Sequence, residues 1–293
     1  MSPPAGPEVS VCIPAFDGEA FIGQAIASVL AQSFADFELV VVDDASLDRT
    51  TDVVLGFSDP RLRLVRNERR LGPEGNWNRA LAAASGRYLK ILPQDDFLHP
   101  ACLEKERAAL ERGEFSSAAL VCAGRAFIDE RGRGLFGRSF PGKGGLVAAR
   151  AAVRACVRAG TNLIGEPAAV LLRAEVVRQV GPFDGRLPYL IDLDYWFRAL
   201  RRGDLAVLKE RLCGFRLSRR AVSTRVAASQ SREFRAFIRR LAAEGAFALS
   251  PSDVRRGEAM AVLNGRLRRF LYAVLFRRRP GSPPQSATGW TTK

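Results

Sequence analysis

Apolar and polar positions in the first 112 residues follow two alternating patterns. Four short apolar runs, rich in β-branched residues, have the length of buried strands; they lie at 9–13, 37–42, 62–65 and 88–92. The segments between and after them place apolar residues at helical spacing; they lie at 21–32, 48–55, 74–84 and 100–112. Strands that alternate with short helices predict an α/β fold, with a mostly parallel central sheet flanked by helices.

The pattern changes after residue 112. A glycine-rich stretch with several basic residues at 131–145 predicts a mobile loop. Further helices are expected at 147–159, 174–180 and 190–202, and further strands at 168–172, 205–208 and 211–217. Helical spacing resumes after residue 223 and continues to 276, and the Pro/Ser/Thr-rich remainder predicts disorder. We therefore expect an α/β domain over 1–225, a basic helical extension over 226–279 and a disordered tail over 280–293.

Polar clusters follow the first, second and fourth predicted strands, at 14–18, 43–48 and 93–96. Ligands bind at the carboxyl ends of parallel strands, so these clusters are expected to meet at one edge of the sheet. Any single Asp-Asp pair is most simply a solvated turn. Two such pairs together with the later Asp192-x-Asp194 favour a site, because paired carboxylates bind a divalent cation that neutralises a diphosphate. Neither the G-x-G-x-x-G dinucleotide fingerprint nor a phosphate-binding P-loop is present, which disfavours both of those classes.

The composition is that of a globular protein and excludes several classes. Of 293 residues, 47% are hydrophobic and 26% are charged, which suits one or two domains with a sizeable core. No apolar run approaches the roughly 18 residues of a membrane span, and the first residues lack a secretory leader pattern, so a cytoplasmic location is expected. Five widely spaced cysteines without C-x-x-C predict buried reduced thiols rather than a zinc site. His99, the only histidine, is expected in a surface turn, which leaves acid–base chemistry to carboxylates.

The charge is strongly basic, with 45 Lys and Arg against 31 Asp and Glu. The segment 255–279 contains eight Arg and a single acid, Glu258, around an apolar stripe at helical spacing. One interpretation is an amphipathic helix that lies on an anionic membrane surface. The other is a helix that packs its stripe on the α/β domain and leaves the arginines in solvent. Nucleic acid is disfavoured as a partner, because basic and aromatic residues are not interleaved.

Several motifs, in order, resemble glycosyltransferase family 2. They are VSVCIPAFD at 9–17, IASVLAQSF at 26–34, FELVVVDDASLDRT at 37–50, GRYLKILPQDDFLHP at 86–100, GPFD at 181–184 and IDLDYWFR at 191–198. The similarity covers roughly three quarters of the chain and fades after about residue 225. It implies an inverting enzyme with the GT-A fold, a Rossmann-like α/β sheet, followed by a helical C-terminal extension.

The resemblance also implies a nucleotide-sugar donor, most simply a UDP-sugar. Its nucleotide-binding residues are expected to be Pro14, Ala15, Phe16, Asp17, Asp44, Asn78 and Asp95. Phe16 would offer a face to the base, and Asp44 would accept a hydrogen bond from it. Asp96 would ligate Mg²⁺ or Mn²⁺, whose charge stabilises the diphosphate as it leaves.

By the same resemblance, Asp192 is the catalytic base. It would take the proton from an acceptor hydroxyl while that oxygen attacks the anomeric carbon from the opposite face. The alternative for Asp192 is an acid favoured by the dipole at a helix N-terminus, and Asp194 is expected in that structural role. Candidates for contact with the donor sugar or the acceptor are Asn162, Glu166, Trp196 and Arg216.

Two positions depart from the pattern of the family. Pro93 stands where many relatives have an acid three positions before Asp96, and Ser218 stands where relatives often have a histidine near the diphosphate. The second metal ligand is therefore left open.

The expected function is transfer of a sugar to a hydroxyl of a cell-surface glycan or lipid-linked acceptor, in polysaccharide biosynthesis. The enzyme would act in the cytoplasm or peripherally on the inner face of the cytoplasmic membrane, through 255–279. A sugar nucleotidyltransferase is disfavoured, because 15–18 is not a glycine-rich basic loop. A degenerate transferase-fold scaffold at the membrane is the remaining alternative, and the retained Asp44, Asp96 and Asp192 count against it.

Overall fold

The computed structural model describes residues 6–218 and 230–276. Within them, ten strands form one sheet: β1 (Val9–Ala15), β2 (Phe37–Asp43), β3 (Leu62–Arg66), β4 (Tyr88–Ile91), β5 (Phe97–Leu98), β6 (Ala118–Ile128), β7 (Gly134–Arg138), β8 (Gly145–Val147), β9 (Val170–Arg173) and β10 (Asp204–Arg216). The helices are α1 (Ile22–Leu30), α2 (Thr50–Leu55), α3 (Gly72–Ala83), α4 (Cys102–Glu111), α5 (Ala149–Ala159), α6 (Ala174–Val180), α7 (Ile191–Ala199), α8 (Gln230–Ala243) and α9 (Pro251–Phe276).

The sheet has the strand order β3-β2-β1-β4-β9-β6-β10-β5, and its first four strands are parallel. This part follows the predicted alternation of strands and helices. The carboxyl ends of β1, β2 and β4 therefore lie side by side, which brings the connections after them to one edge.

The remainder of the sheet is mixed rather than parallel. β9 runs antiparallel to both β4 and β6, whereas β10 runs parallel to β6. The two late strands predicted at 205–208 and 211–217 are one strand, β10, whose register shifts mark irregularities between them.

The glycine-rich stretch 131–145 is only in part the loop that the sequence predicts. Its segment Gly134–Arg138 forms β7, which pairs antiparallel with β6, and Phe136 stacks on Phe127 with ring centroids 4.5 Å apart. Pairing to a long, buried neighbouring strand outweighs the low strand propensity of glycine.

Two hydrophobic layers cover the sheet, one on each face. Because side chains alternate along a strand, Val11 and Ile13 of β1 join the layer under α1 and α4, whereas Cys12 joins the opposite one. The opposite layer contains α5 and α7 and extends to α8 and α9. All five cysteines are buried and unpaired.

The C-terminal region is helical, as the spacing predicts, and packs on the α/β domain as two helices, α8 and α9. Gly245 and Ala248 adopt positive φ between them and turn the chain. Asp253 at the start of α9 is buried and forms ion pairs with Arg154 and Arg158 of α5, at 3.0 and 2.7 Å. Asn264 donates to the carbonyl oxygen of Ala159 at 2.7 Å.

No helix in the described ranges is long and apolar enough to cross a membrane. The predicted tail at 280–293 and the residues 219–229 lie outside the described ranges, and so does the boundary predicted at 225.

Candidate active site

The connection after β1 lies against the connection after β2. The backbone N–H of Asp17, a residue at φ 47°, donates to Ser46 Oγ at 3.0 Å. The Asp17 carboxylate accepts a hydrogen bond from the backbone N–H of Leu47 at 2.9 Å. Asp17 therefore ties two strand ends together, and its contact with a nucleotide stays a prediction. Pro14 and Ala15 end β1 and are buried beside these turns.

Phe16 is partly exposed at this edge. The guanidinium carbon of Arg70 lies 3.8 Å from the centroid of its ring, so one face is already covered by a cation. Gln94 holds the backbone of Phe16 from the other side: Oε1 accepts from its N–H at 2.8 Å and Nε2 donates to its carbonyl at 2.9 Å. The ring is thus fixed at the end of β1, where the sequence predicts a base-stacking residue.

Asp44 is buried at the end of β2 and organises the start of α3. Its carboxylate accepts hydrogen bonds from Asn67 Nδ2 at 2.9 Å and from the backbone N–H groups of Leu71 and Gly72 at 2.7 and 2.9 Å. The predicted hydrogen bond to a nucleotide base would have to share oxygens that already accept three bonds.

Asn78 is partly buried and is bonded to the backbone of a distant turn. Its side-chain amide exchanges two hydrogen bonds with the backbone of Phe183, at 3.1 and 2.7 Å. Asn78 thus joins α3 to the turn at Phe183. Both polar atoms of its side chain already form hydrogen bonds, so the predicted nucleotide contact would have to share them.

Asp95 and Asp96 lie between β4 and β5, against the end of β10. Asp96 Oδ1 accepts a hydrogen bond from the backbone N–H of Arg216 at 2.9 Å. Asp96 Oδ2 is buried and has no hydrogen-bond partner among the described residues. Burial and the adjacent Asp95 carboxylate raise the pKa of Asp96 well above its ordinary value, and burial raises the pKa of Asp95.

An orphaned, buried carboxylate oxygen fits a ligand of a hard cation such as Mg²⁺ or Mn²⁺. Binding of a cation would remove the cost of burying that charge. The described residues include no group of three or more Asp, Glu, His or Cys side chains that could hold a metal. Asp96 would thus hold a cation with few other protein ligands. This suits Mg²⁺, which usually keeps several waters and binds substrate phosphates.

Arg216 is a buried crosslink rather than a free cation. Its guanidinium donates to the backbone carbonyls of Asp95 at 2.9 Å and of Asp129 and Glu130 at 3.2 Å each, and also to Gln24 Oε1. With these bonds it holds the turn that carries Asp95 against the β6–β7 hairpin. Its predicted contact with donor or acceptor stays untested.

Asp192 lies in the first turn of α7. Its Oδ2 accepts a hydrogen bond from Asn162 Nδ2 at 3.0 Å, and its Oδ1 accepts from the backbone N–H of Leu193 at 2.7 Å. Burial and the nearby Glu166 carboxylate raise the pKa of Asp192 to about 7. Of the four candidate sugar or acceptor residues, the structure brings Asn162 and Glu166 to this carboxylate.

The loop between α5 and β9 is anchored by these same residues. Asn162 bonds both backbone groups of Gly165 at 2.9 Å, and Trp196 Nε1 donates to the Gly165 carbonyl at 3.0 Å. Trp196 is buried, and its predicted contact with the donor sugar or the acceptor stays untested. Asp194 forms ion pairs with Arg198 and Arg240 at 2.8 and 2.7 Å, a structural role as expected.

Arg125 and Gln94 are site residues that the sequence did not suggest. Arg125, fully buried on β6, forms an ion pair with Glu166 at 2.5 Å between Nε and Oε2. Nothing local marks Arg125, and both residues acquire their roles from partners more than 35 positions away in the chain. Gln94 did carry one signal, its place directly before Asp95.

Solved structures share the α/β fold of this chain. TarS from S. aureus, residues 1–349 in complex with UDP-GlcNAc, superposes with a TM-score of 0.68 over 92% of this chain and 76% of that chain, at 20% sequence identity. This likeness confirms the GT-A type of α/β fold expected for a nucleotide-sugar-dependent class of transferases.

Sequence comparison then identifies the family. The model of glycosyl transferase family 2 matches residues 10–146. The MT1568 protein of Mycobacterium tuberculosis is 32% identical over 78% of this chain and 72% of its own length. The chain belongs to glycosyl transferase family 2, and it is a transferase enzyme.

A further relative has a defined reaction in its name. It is the UDP-Glc:alpha-D-GlcNAc-diphosphoundecaprenol beta-1,3-glucosyltransferase WfgD of Escherichia coli. It is 40% identical over 37% of this chain and 43% of its own length, so the chain matches less than half of that protein.

Proposed function

We propose that this glycosyltransferase moves a sugar from a UDP-sugar to a hydroxyl group of a cell-envelope glycan or lipid-linked acceptor, with inversion at the anomeric carbon. The observation that carries the proposal is the grouping of Asp96, Glu166 and Asp192 at one edge of the sheet. In addition to burial, the Glu166 charge raises the pKa of both Asp96 and Asp192, so the three acids form one electrostatic group. Glu166 thus lies within electrostatic range of both the proposed cation ligand and the proposed base, which suits a single displacement.

Asp192 is the proposed general base. A carboxylate with a pKa of about 7 is largely ionised at slightly alkaline pH and is far more basic than an ordinary aspartate. The amide of Asn162 holds Oδ2 in place, and the ion pair with Arg125 fixes Glu166 beside it. The acceptor hydroxyl would lose its proton to Asp192 as its oxygen attacks the anomeric carbon.

Asp96 would hold Mg²⁺ or Mn²⁺ through Oδ2, with Asp95 next to it. When bound, such a cation supplies the positive charge that stabilises a diphosphate leaving group. The protein's own part is to keep Asp96 in place: Arg216 fixes Oδ1 through its backbone and holds the Asp95 carbonyl through its guanidinium.

UDP as the nucleotide is supported by the name of WfgD and by the UDP-GlcNAc complex of TarS. In this chain the base would enter beside Phe16, where the Arg70 guanidinium would move aside or stack on the opposite face. The glycan or lipid-linked acceptor and a role in polysaccharide biosynthesis are proposed on the same similarity.

The location is proposed as the cytoplasm, with peripheral contact at the inner face of the cytoplasmic membrane through 255–279. Both earlier interpretations of this segment find support in α9. Its Asp253 side packs on α5, whereas Leu263, Leu267 and Phe270 are 47, 56 and 72% exposed.

Release of UDP from a panel of UDP-sugars, in the presence of Mn²⁺, tests the proposed function. We expect one UDP-sugar to be turned over and Asp192→Asn to reduce the turnover at least about 100-fold with little change in UDP affinity. Asp184→Asn is a matched control, since Asp184 is an acid in a turn that forms an ion pair with the exposed Arg186. Full activity in Asp192→Asn would contradict the assignment of the base.

A further inference from the structure

A basic cleft of about 390 Å³ opens between α5, α9 and the end of β7. Its charged wall consists of Arg138, Arg158 and Arg256, and no acidic residue lines it. Its other wall is apolar and includes Leu163 and Met260. A surface with three guanidinium groups beside apolar side chains suits a ligand that has both phosphate and hydrocarbon.

The arginines of the cleft are poorly neutralised. Arg138 and Arg256 form no ion pair within the described part of the chain. Arg158 shares the Asp253 carboxylate with Arg154. Arg138 is also the direct cross-strand partner of Arg125, and like charges at such positions repel. An anion in the cleft would relieve this excess of positive charge.

The cleft adjoins the proposed base. Thr161 and Leu163 line it, and Asn162 between them donates to Asp192 Oδ2 at 3.0 Å. A group seated in the cleft is therefore next to the loop that orients Asp192, on the side of α5 and α9. The proposed donor diphosphate belongs instead to Asp96, beside Arg216.

The cleft also continues into an exposed apolar surface. Arg256, Met260 and Asn264 line it at intervals of four residues, which places them along one face of α9. Leu263, Leu267 and Phe270 are exposed on the adjoining face. A hydrocarbon chain leaving the cleft along α9 would meet these apolar side chains.

We infer that this cleft binds the phosphate groups of a polyprenyl-diphosphate-linked acceptor and directs its lipid along α9. The inference rests on the proposed function and narrows its acceptor class. Arg138 and Arg256 would bind the phosphates, for which a guanidinium offers paired donors. The acceptor sugar, attached to those phosphates, would then extend towards Asp192.

The test measures calorimetric binding of farnesyl diphosphate, a soluble polyprenyl diphosphate, to the full chain in saturating UDP and Mn²⁺. We expect binding to the wild type, at least tenfold weaker binding to Arg138→Gln/Arg256→Gln, and unchanged binding to Arg112→Gln. Arg112 follows α4 on the opposite face of the sheet and is exposed, so it is a control for loss of a surface charge. Farnesol, which lacks phosphate, should bind at least tenfold more weakly than farnesyl diphosphate.

Three results would overturn the inference: equal binding of farnesyl diphosphate to the double variant, equal binding of farnesol, or a parallel fall in the UDP affinity of the double variant. The last result would mean that the cleft serves the donor. The proposed function is judged separately, by UDP release from UDP-sugars in the wild type. Because both arginines are exposed, the double variant should have the same melting temperature as the wild type.

Discussion

Asp192 illustrates how much of a residue's chemistry depends on distant neighbours. Its position at the start of a helix and in the IDLDYWFR motif could be predicted from the sequence. Its pKa of about 7 could not, because that value depends on burial and on Glu166, which is brought near by the loop before β9. For the same reason, the sequence could nominate Asn162 but could not show that its amide binds this carboxylate.

The raised pKa of Asp192 leads to a prediction about the pH dependence of activity. A general base works when it is unprotonated, so kcat/KM should rise with pH and level off above about 7. An initial-rate pH profile with a UDP-sugar measures this. A base with an ordinary aspartate pKa would instead give a profile that is flat between pH 5.5 and 8.

The same shift makes a prediction about stability. The folded-state pKa of about 7 lies above the ordinary 3.8, so the folded state binds the proton more tightly than the unfolded state. The contribution of Asp192 to stability is therefore most favourable below about pH 4 and is lost as pH rises through 7. Asp192→Asn should raise the melting temperature at pH 8 more than at pH 5, as scanning calorimetry can show. A larger gain at pH 5 would contradict this sign.

Substitution of Lys90, a residue that supports the loop carrying Glu166, gives a prediction about stability. Its ammonium group is fully buried, forms an ion pair with Glu106 at 2.8 Å and donates to the carbonyls of Ala168 and Val170. These carbonyls follow the loop that carries Glu166. Lys90→Met should cost about 3–5 kcal/mol of unfolding free energy, because it leaves the Glu106 carboxylate buried without its cation.

Urea denaturation measures this cost. The double variant Lys90→Met/Glu106→Leu removes both charges and should recover much of the loss. Equal destabilisation of the single and double variants would mean that the ion pair does not determine the effect.

At the scale of elements, α5 and α9 make a close contact that glycines allow, and Gly160 is one of them. Gly160 ends α5 at φ 64°, and a Cβ atom there would lie 2.4 Å from the backbone nitrogen of Ala261. The helix backbones meet at this point, and Asn264 caps the carbonyls of Ala159 and Gly160 one turn later. The contact attaches the C-terminal helix to the α/β domain.

Gly160→Ala should therefore destabilise the protein by more than its backbone conformation alone requires. A positive φ costs a residue with Cβ about 1–2 kcal/mol, and overpacking adds about 1–3 kcal/mol. Gly245→Ala is the matched control, since Gly245 has φ 70° and open space where a Cβ would stand. Equal losses in the two variants, measured by denaturant unfolding, would mean that α9 does not press on Gly160.

The strands and helices differ in how well the sequence predicts them. The parallel strands β1 to β4 are short apolar runs separated by helices, and local pattern suffices to predict them. β7 is exposed and glycine-rich, and only its pairing with β6 makes it a strand. β9 is predicted as a strand, but its antiparallel direction depends on pairing with β4 and β6, which local pattern does not contain. The division between α8 and α9 depends likewise on a turn at positive φ.

At the scale of the whole molecule, the candidate site residues lie at one edge of the sheet, and helices pack on both of its faces. The connections after β1, β2 and β4 supply Phe16, Asp44 and Asp96, and α7 supplies Asp192. Motif order was sufficient to place these residues at one edge. The sequence did not reveal that hydrogen bonds within the protein already engage Asp44 and Asn78, since those partners lie on other elements.

On the proposed function, this edge of the sheet binds a nucleoside diphosphate through a cation on Asp96. Calorimetric titration of UDP, GDP and dTDP, each with and without Mn²⁺, tests it on the wild type, Asp96→Ala and the control Asp184→Ala. We expect Mn²⁺-dependent binding of UDP that is lost in Asp96→Ala and kept in Asp184→Ala. Absence of binding by all three nucleotides, or UDP binding that is indifferent to Mn²⁺ and to Asp96, would contradict it.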